Sequence, residues 1–195
     1  MNNEQDLKDF IPKIIKPLYL NLSAFNNYTE YVKKCDVAVR SSYNKYLQSQ
    51  FKFKKVDVIG PTETEQLWDI WTSISSRQNR PINLMYEKPN GTRDRIKEDH
   101  WPIQDYTEYQ FPNVALEFYA IYNKDVIIAY IELIFVDKIG VVHSTLGHFD
   151  YLKCGIMKAL FLEVIRLKWG QINKLIYGSA NQKDFFKTDL LIENS

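Results

Sequence analysis

Cysteine is nearly missing from the 195 residues: only Cys35 and Cys154 occur, and no Cys-x-x-Cys spacing. That excludes a disulfide framework and a cysteine zinc site, and leaves two packed thiols as the plain reading. Histidine is equally sparse, at His100, His143 and His148. The last two lie five apart, which sends strand side chains to opposite faces, so no metal is expected. Neither sign of charge dominates, with 25 Lys and Arg against 24 Asp and Glu. No global field therefore draws the chain to nucleic acid or anionic lipid, and any anion site has to be local. Long apolar runs are also lacking. The longest, Val126 to Val136, is interrupted by Glu132 and falls well short of the roughly 20 residues of a membrane span. The opening Met-Asn-Asn-Glu-Gln-Asp has neither the basic nor the apolar region of a secretory signal, so a cytoplasmic protein without a membrane span is expected. No P-loop, GxGxxG, HExxH or GxSxG occurs, so phosphoryl transfer, dinucleotide chemistry and metal or serine hydrolysis lack their signatures.

What is present is the material of one core. Hydrophobic residues make up 45% and charged residues 25%, a balance that folds, in a chain too short for two separate cores. Leu7, Phe10, Ile11, Ile14 and Ile15 are spaced for an amphipathic helix over 4–16 that ends at Pro17. Phe25, Tyr28, Tyr31, Val32, Cys35 and Val39 continue helical spacing, giving one or two further helices before residue 50. Residues 1–50 thus read as a helical N-terminal extension, and 51–195 as the main domain. Phe51 to Ile59 alternates with lysines as a half-exposed strand that stops at Gly60-Pro61. Thr62 and Glu65 form a capping box for a helix over 63–78 whose stripe is Leu67, Ile70, Trp71 and Ile74. Five prolines or glycines from Pro81 to Pro112 predict a long loop-rich stretch. Val114–Tyr122, Val126–Val136 and Val141–Gly147 read as three sequential antiparallel strands, the first two joined at Asn123-Lys124-Asp125. Gly155 opens a second strong helix that runs through Trp169, with Gly170 at its C-terminal cap, before a short strand at Lys174–Tyr177.

The segment His148-Phe-Asp-Tyr-Leu-Lys-Cys-Gly-Ile-Met-Lys-Ala-Leu-Phe sits between the third strand of the meander and the second strong helix. Together with the order of elements over 51–195, it resembles the GNAT-type N-acyltransferases. Asn181, Phe185, Phe186 and Lys187 are similar to that family's late Asn-x-x-Ala-x-x-Phe-Tyr-Glu-Lys segment. The resemblance implies an α/β (α+β) fold: a mixed, mainly antiparallel sheet flanked by helices. It also implies an acyl group moved from a thioester, acyl-CoA or acyl carrier protein, to a small-molecule amine. Backbone N–H groups at the helix start would then hold the donor's pyrophosphate. The family's loop has Arg or Gln, then Gly, then Gly or Ala; here those places hold Leu152, Gly155 and Met157, and Phe186 replaces the late tyrosine. These departures turn the resemblance toward divergent relatives that use other donors: the FemAB and leucyl/phenylalanyl transferases with aminoacyl-tRNA, and the N-acyl amino acid synthases with acyl carrier protein. Donor-binding residues implied are Ser144, Thr145, Tyr151, Lys153, Gly155, Lys158 and Asn181.

Acyl transfer to an amine needs a base for the amine and donors for the thioester carbonyl. Backbone amides of His143 to Thr145 would serve the carbonyl. His143 or His148 is the natural base, because imidazole titrates nearest neutral pH. Glu132 competes with them, and Tyr177 could supply the missing acid. Two alternatives stand beside this: a GNAT-shaped binding module without chemistry, and a small nucleic-acid-binding protein that uses Phe51 and Phe53 among Lys52, Lys54 and Lys55 as a stacking platform.

Overall fold

The structure, a computed structural model, describes residues 17–57, 59–77, 114–179 and 193–194. The expected helix over 4–16, the loop-rich stretch with His100, and the segment carrying Asn181, Phe185, Phe186 and Lys187 lie outside the described residues.

The chain begins in strand β1 (Pro17–Asn21) and passes through a 3-10 turn (Leu22–Ala24) into α1 (Tyr28–Lys34) and α2 (Val37–Leu47). Then come β2 (Lys52–Val56), α3 (Pro61–Arg77), and the strands β3 (Val114–Asn123), β4 (Val126–Val136) and β5 (Ile139–Gly147). A 3-10 segment (Phe149–Cys154) leads into α4 (Ile156–Lys168), followed by β6 (Lys174–Ser179) and β7 (Glu193–Asn194). The sheet runs β2-β3-β4-β5-β6-β1-β7. Each neighbouring pair is antiparallel except β5 and β6, which run parallel. The mixed, mainly antiparallel sheet expected from the resemblance is present.

Local chemistry explains most of these boundaries. Asn27 and Asp36 cap α1 and α2 by accepting from the backbone N–H groups of Glu30 and Ala38, satisfying donors the first helical turn leaves open. At α3 the expected box at Thr62 and Glu65 is displaced. The carboxylate of Glu63 accepts instead from Gly60 N at 3.0 Å, and Pro61 takes the first helical place, where a missing N–H costs nothing. The turns between β3, β4 and β5 use Lys124 and Asp137 in the left-handed region.

After exposed Val126, every residue of β4 is buried. A strand covered on both faces reads as a continuous apolar run rather than an alternation. One face packs on α4, with Ala129, Ile131, Leu133 and Phe135 in a cluster with Leu160, Phe161 and Ile165. The other packs on α3, where Tyr130 and Ile127 meet Leu67 and Ile70. Helix α4 is buried nearly all round because α2 covers its outer side with Val39, Tyr43 and Tyr46.

The N-terminal region differs from the purely helical expectation. Pro17 starts a strand rather than simply stopping a helix, and β1 inserts between β6 and β7. Leu20, Leu22, Tyr31 and Val39 share one buried cluster with the sheet and α4, so residues 17–50 build the same core as the rest.

Candidate functional site

The sheet has one seam. Strands β5 and β6 pair only at Ile139–Lys174, Gly140–Leu175 and Val141–Ile176. Both continue past that point, β5 to Gly147 on β4 and β6 to Ser179 on β1. A parallel pair that parts midway leaves β5 backbone outside any ladder on its β6 side, and that is where an extended ligand can find hydrogen-bond partners.

At the same point β5 carries a bulge. Glu132 pairs with Ser144 and Leu133 with Val142, so His143 is the extra residue. A bulge breaks strict alternation and re-aims a side chain. Here it sends His143 to the α3 side of the sheet, where its Nδ1 lies 3.0 Å from Glu132 Oε2. The same oxygen accepts the hydroxyl of Tyr130 at 3.0 Å. Glu132 is fully buried, and its other oxygen, Oε1, is buried without a partner. The His143 side chain is 36% exposed, so the pair joins a buried carboxylate to a ring that reaches solvent. Expectation had offered Glu132 and His143 as rivals for one role, and the structure brings them into contact. Tyr130 was overlooked, although a spacing of two along one strand already puts it on the face of Glu132.

The other expected residues distribute differently. His148 caps the 3-10 segment: its Nδ1 accepts from Asp150 N at 3.3 Å, and its ring packs edge-on against Tyr151, centroids 5.4 Å apart. These contacts tie His148 to the loop ahead of α4. Tyr151 accepts from Asn123 Nδ2 at 3.2 Å and packs on Phe51. Tyr177 is buried edge-on against Phe161, centroids 4.6 Å apart. It therefore lies on the α4 face of the sheet, opposite the His143–Glu132 pair, and is not placed beside them as an acid. Ser144 is half-buried opposite Glu132. Thr145 points to the α4 side and holds a buried hydroxyl without a hydrogen-bond partner.

The loop ahead of α4 is held on two sides, by His148 N to Ile128 O at 2.8 Å and by Phe149 N to Ser73 Oγ at 3.1 Å. Phe149, Asp150, Leu152 and Lys153 line a shallow, mainly apolar cavity of about 470 Å³. Lys153 is exposed and Lys158 half-buried. Gly155 adopts φ +78°, and a Cβ there would lie 2.4 Å from the backbone oxygen of Ser42 in α2. What approaches this glycine closely is α2, where the sequence had suggested a phosphate. The basic and aromatic strand also differs from its alternative reading. Phe53 stacks on Tyr119, centroids 5.6 Å apart, and both Phe51 and Phe53 pack against the core. They are not a free platform for bases.

Two ionic clusters brace this arrangement. Glu163 of α4, 5% exposed, accepts from Tyr43 Oη at 2.5 Å and from Arg166 Nε and Nη2 at 3.0 and 2.6 Å. Burial, then the bond to Glu163, pushes the Tyr43 phenol far above its ordinary value. Glu117 of β3 holds Lys168 Nζ at 2.6 Å, Lys55 Nζ at 3.0 Å and the Tyr119 hydroxyl, tying the end of α4 to the sheet. Burial alone would lift the Glu117 carboxyl, but these bonds outweigh it and the net direction is down.

No family model and no curated protein matches the sequence. Solved structures do match in shape. The C-terminal domain of a putative lysylphosphatidylglycerol synthetase from Agrobacterium fabrum superposes with a TM-score of 0.60 at 14% identity, covering 92% of this chain and 57% of that one. FemX matches with a TM-score of 0.55 at 10% identity, over 92% and 59%. L-PGS from Bacillus licheniformis matches with a TM-score of 0.55 at 13% identity, over 92% and 57%. The chain spans less than two thirds of the length of these structures, and at such identities the likeness is one of fold. Among the described residues no helix is long and apolar enough to cross a membrane. The chain shares its fold with FemX and with the C-terminal domain of the lysylphosphatidylglycerol synthetase.

Proposed function

We propose that the chain transfers an acyl group from a thioester donor, acyl-CoA or acyl carrier protein, to a small-molecule amine, with His143 as the base. The observation that carries this reading is the Glu132–His143 pair, built on a bulge at the point where β5 parts from β6. With Nδ1–H donating to the buried carboxylate, Nε2 of the neutral ring carries the lone pair. Nε2 takes a proton from the acceptor ammonium, and the freed amine attacks the thioester carbonyl. The oxyanion is met by backbone amides of β5 near His143 to Thr145, past the last β6 pair. Collapse expels the thiolate, which takes the first proton back from the imidazolium, and the amide nitrogen gives up its second proton to solvent, so the cycle yields amide, thiol and one released proton. Glu132 stabilises that imidazolium and fixes the ring, as a buried carboxylate does for a general-base histidine.

Thermal stabilisation by acetyl-CoA, long-chain acyl-CoA and acylated carrier protein is the first test. A donor at about 100 times its Kd adds nearly 3 kcal/mol. Turnover on the donor that registers should fall about 100-fold or more in His143→Ala. A donor that binds but is turned over equally by His143→Ala removes His143 from the role. The second reading, a binding module without chemistry, is favoured by the packing of Ser42 on Gly155, and the absence of a shift with every donor would select it.

A further inference from the structure

We propose that the exposed face of α2 is the docking surface of an acidic acyl carrier protein, which brings the thioester on its own arm in place of a nucleotide. The proposal rests on the acyl-transfer reading for what the partner delivers, and stands apart from it for whether the partner docks. Charge is the first observation. Helices α1 and α2 hold Lys33, Lys34, Arg40 and Lys45, all exposed, against Glu30 alone. Asp36 between them is engaged as the cap of α2. Helix α3, across the sheet, is the reverse, with Glu63, Glu65 and Asp69 against Arg77. A chain of formal net charge +1 therefore presents one basic side. Along α2, residues Val37, Arg40, Ser41, Asn44, Lys45 and Gln48 line a shallow groove of about 430 Å³. Steps of three and four put them on one stripe, and no carboxylate is among them, so the groove suits a partner of negative surface. Val37 is 67% exposed and Leu47 57%. Apolar anchors beside cations fit an acidic protein helix, whereas a phosphate backbone offers nothing to Val37 and Leu47. A lipid surface calls for larger apolar side chains than Ser41, Asn44 and Gln48 supply.

Place is the second observation. Ser42, on the flank of the same helix, lies against Gly155, where its backbone oxygen would be 2.4 Å from a Cβ. That oxygen, itself partly negative, stands beside the start of α4, where a nucleotide diphosphate would need room. Amides of the loop ahead of it are already engaged: His148 N by Ile128 O, Phe149 N by Ser73 Oγ, Asp150 N by His148 Nδ1, and Gly155 N by Leu152 O. The same contact sets α2 beside the loop into which β5 runs from the seam, so a carrier docked on α2 stands where its arm can follow β5 back toward His143.

Octanoyl-CoA and octanoyl-carrier protein share acyl group and arm and differ in what lies beyond the arm's phosphate, so their affinities isolate the contribution of the protein. Anisotropy of a label on the carrier reads binding without any turnover. The octanoyl-carrier should bind at least about 10-fold more tightly than octanoyl-CoA, and less tightly as salt rises. The double variant Arg40→Glu, Lys45→Glu should weaken carrier binding about 10- to 100-fold, because like charges then face each other. Both positions are exposed, so its melting temperature should stay close to that of the wild-type chain. Lys124→Glu with Lys138→Glu makes the same change of net charge in the turns flanking β4, both exposed, and should leave binding nearly as it is. Equal losses in the two double variants, or octanoyl-CoA bound as tightly as the carrier, overturn the proposal. A transfer RNA that binds through Arg40 and Lys45 while the carrier does not bind gives the face to nucleic acid and overturns it as well. Octanoyl transfer from CoA alone keeps the acyl-transfer reading and ends the docking proposal. A carrier that binds through α2 in a chain that acylates no amine upholds the docking face and sinks the acyl-transfer reading.

Discussion

Gly155 and Gly170 form a matched pair. Both have φ +78°, yet a Cβ at Gly170 meets nothing within 4 Å, whereas at Gly155 it meets Ser42 O at 2.4 Å, Ser42 C at 2.8 Å and Ser42 Cβ at 2.9 Å. Alanine at either position pays for the left-handed backbone, about 1 kcal/mol. At Gly155 it must also move the backbone of α2 away from α4, and overpacking of that kind costs about 1–3 kcal/mol more. Gly170→Ala should therefore lose about 1 kcal/mol and Gly155→Ala about 2–4 kcal/mol. A gap of roughly 2 kcal/mol in a chain of this length separates the two melting temperatures by about 4–8 °C. Urea unfolding of both variants at one pH, with equal m values, is the assay. Equal losses would refute the packing argument. If Gly155→Ala then weakened donor binding instead, the glycine would be serving a phosphate after all.

Three further outcomes follow from the ionic clusters and from one buried tyrosine. Tyr43→Phe removes the hydroxyl that Glu163 accepts at 2.5 Å and should cost about 1–3 kcal/mol in urea unfolding, because a buried carboxylate loses a partner; a loss under 0.5 kcal/mol would contradict the bond. The Glu117 carboxyl is held below its ordinary value in the fold, so its contribution is present above the unfolded value, near 4.3, and is lost as pH falls through the lower folded one. Glu117→Gln should flatten the fall of stability below about pH 4.5, and an unchanged slope between pH 5 and 3 would count against the Lys168 and Lys55 pairs. Burial pushes the Tyr28 phenol up to about 12. Its contribution is therefore present below the unfolded value, near 10, and is lost as pH rises toward 12. Phenolate absorbance should appear together with loss of structure, and Tyr28→Phe should retain more stability at high pH than the wild-type chain.

Legibility from sequence followed the range of the interactions. Strands β3 to β5 and helices α3 and α4 were readable because their patterns are local: β-branched runs around Asn123-Lys124-Asp125, and apolar stripes after Pro61 and Gly155. Strand β1 was not, since five residues beginning with Pro17 carry no alternation, and their partners stand about 150 residues further on. Glu132 and His143 were visible as chemistry, but their contact depends on a bulge, and a bulge has no signature in a run such as Ile139–Gly147. Tyr177 was misplaced because the face a strand residue occupies depends on pairing, and the register of β6 against β5 is fixed by three residue pairs alone. Gly155 was recognised as special for the right backbone reason, while its neighbour, Ser42, came from an element more than 100 residues upstream.

The position of β1 between β6 and β7 also sets an order of assembly during synthesis. Pro17–Asn21 is made before its first hydrogen-bonding partner, Lys174–Ser179, which follows about 150 residues later, roughly 10 to 30 s at ordinary elongation rates. Throughout that interval the strand has two bare edges, and α1 and α2 have no α4 to cover. The β2–β5 meander can close meanwhile, because its strands are sequential or nearly so. The growing chain is therefore expected to carry a half-built sheet whose earliest strand waits for β6 before it can dock, and to need protection from aggregation at that strand until β6 emerges.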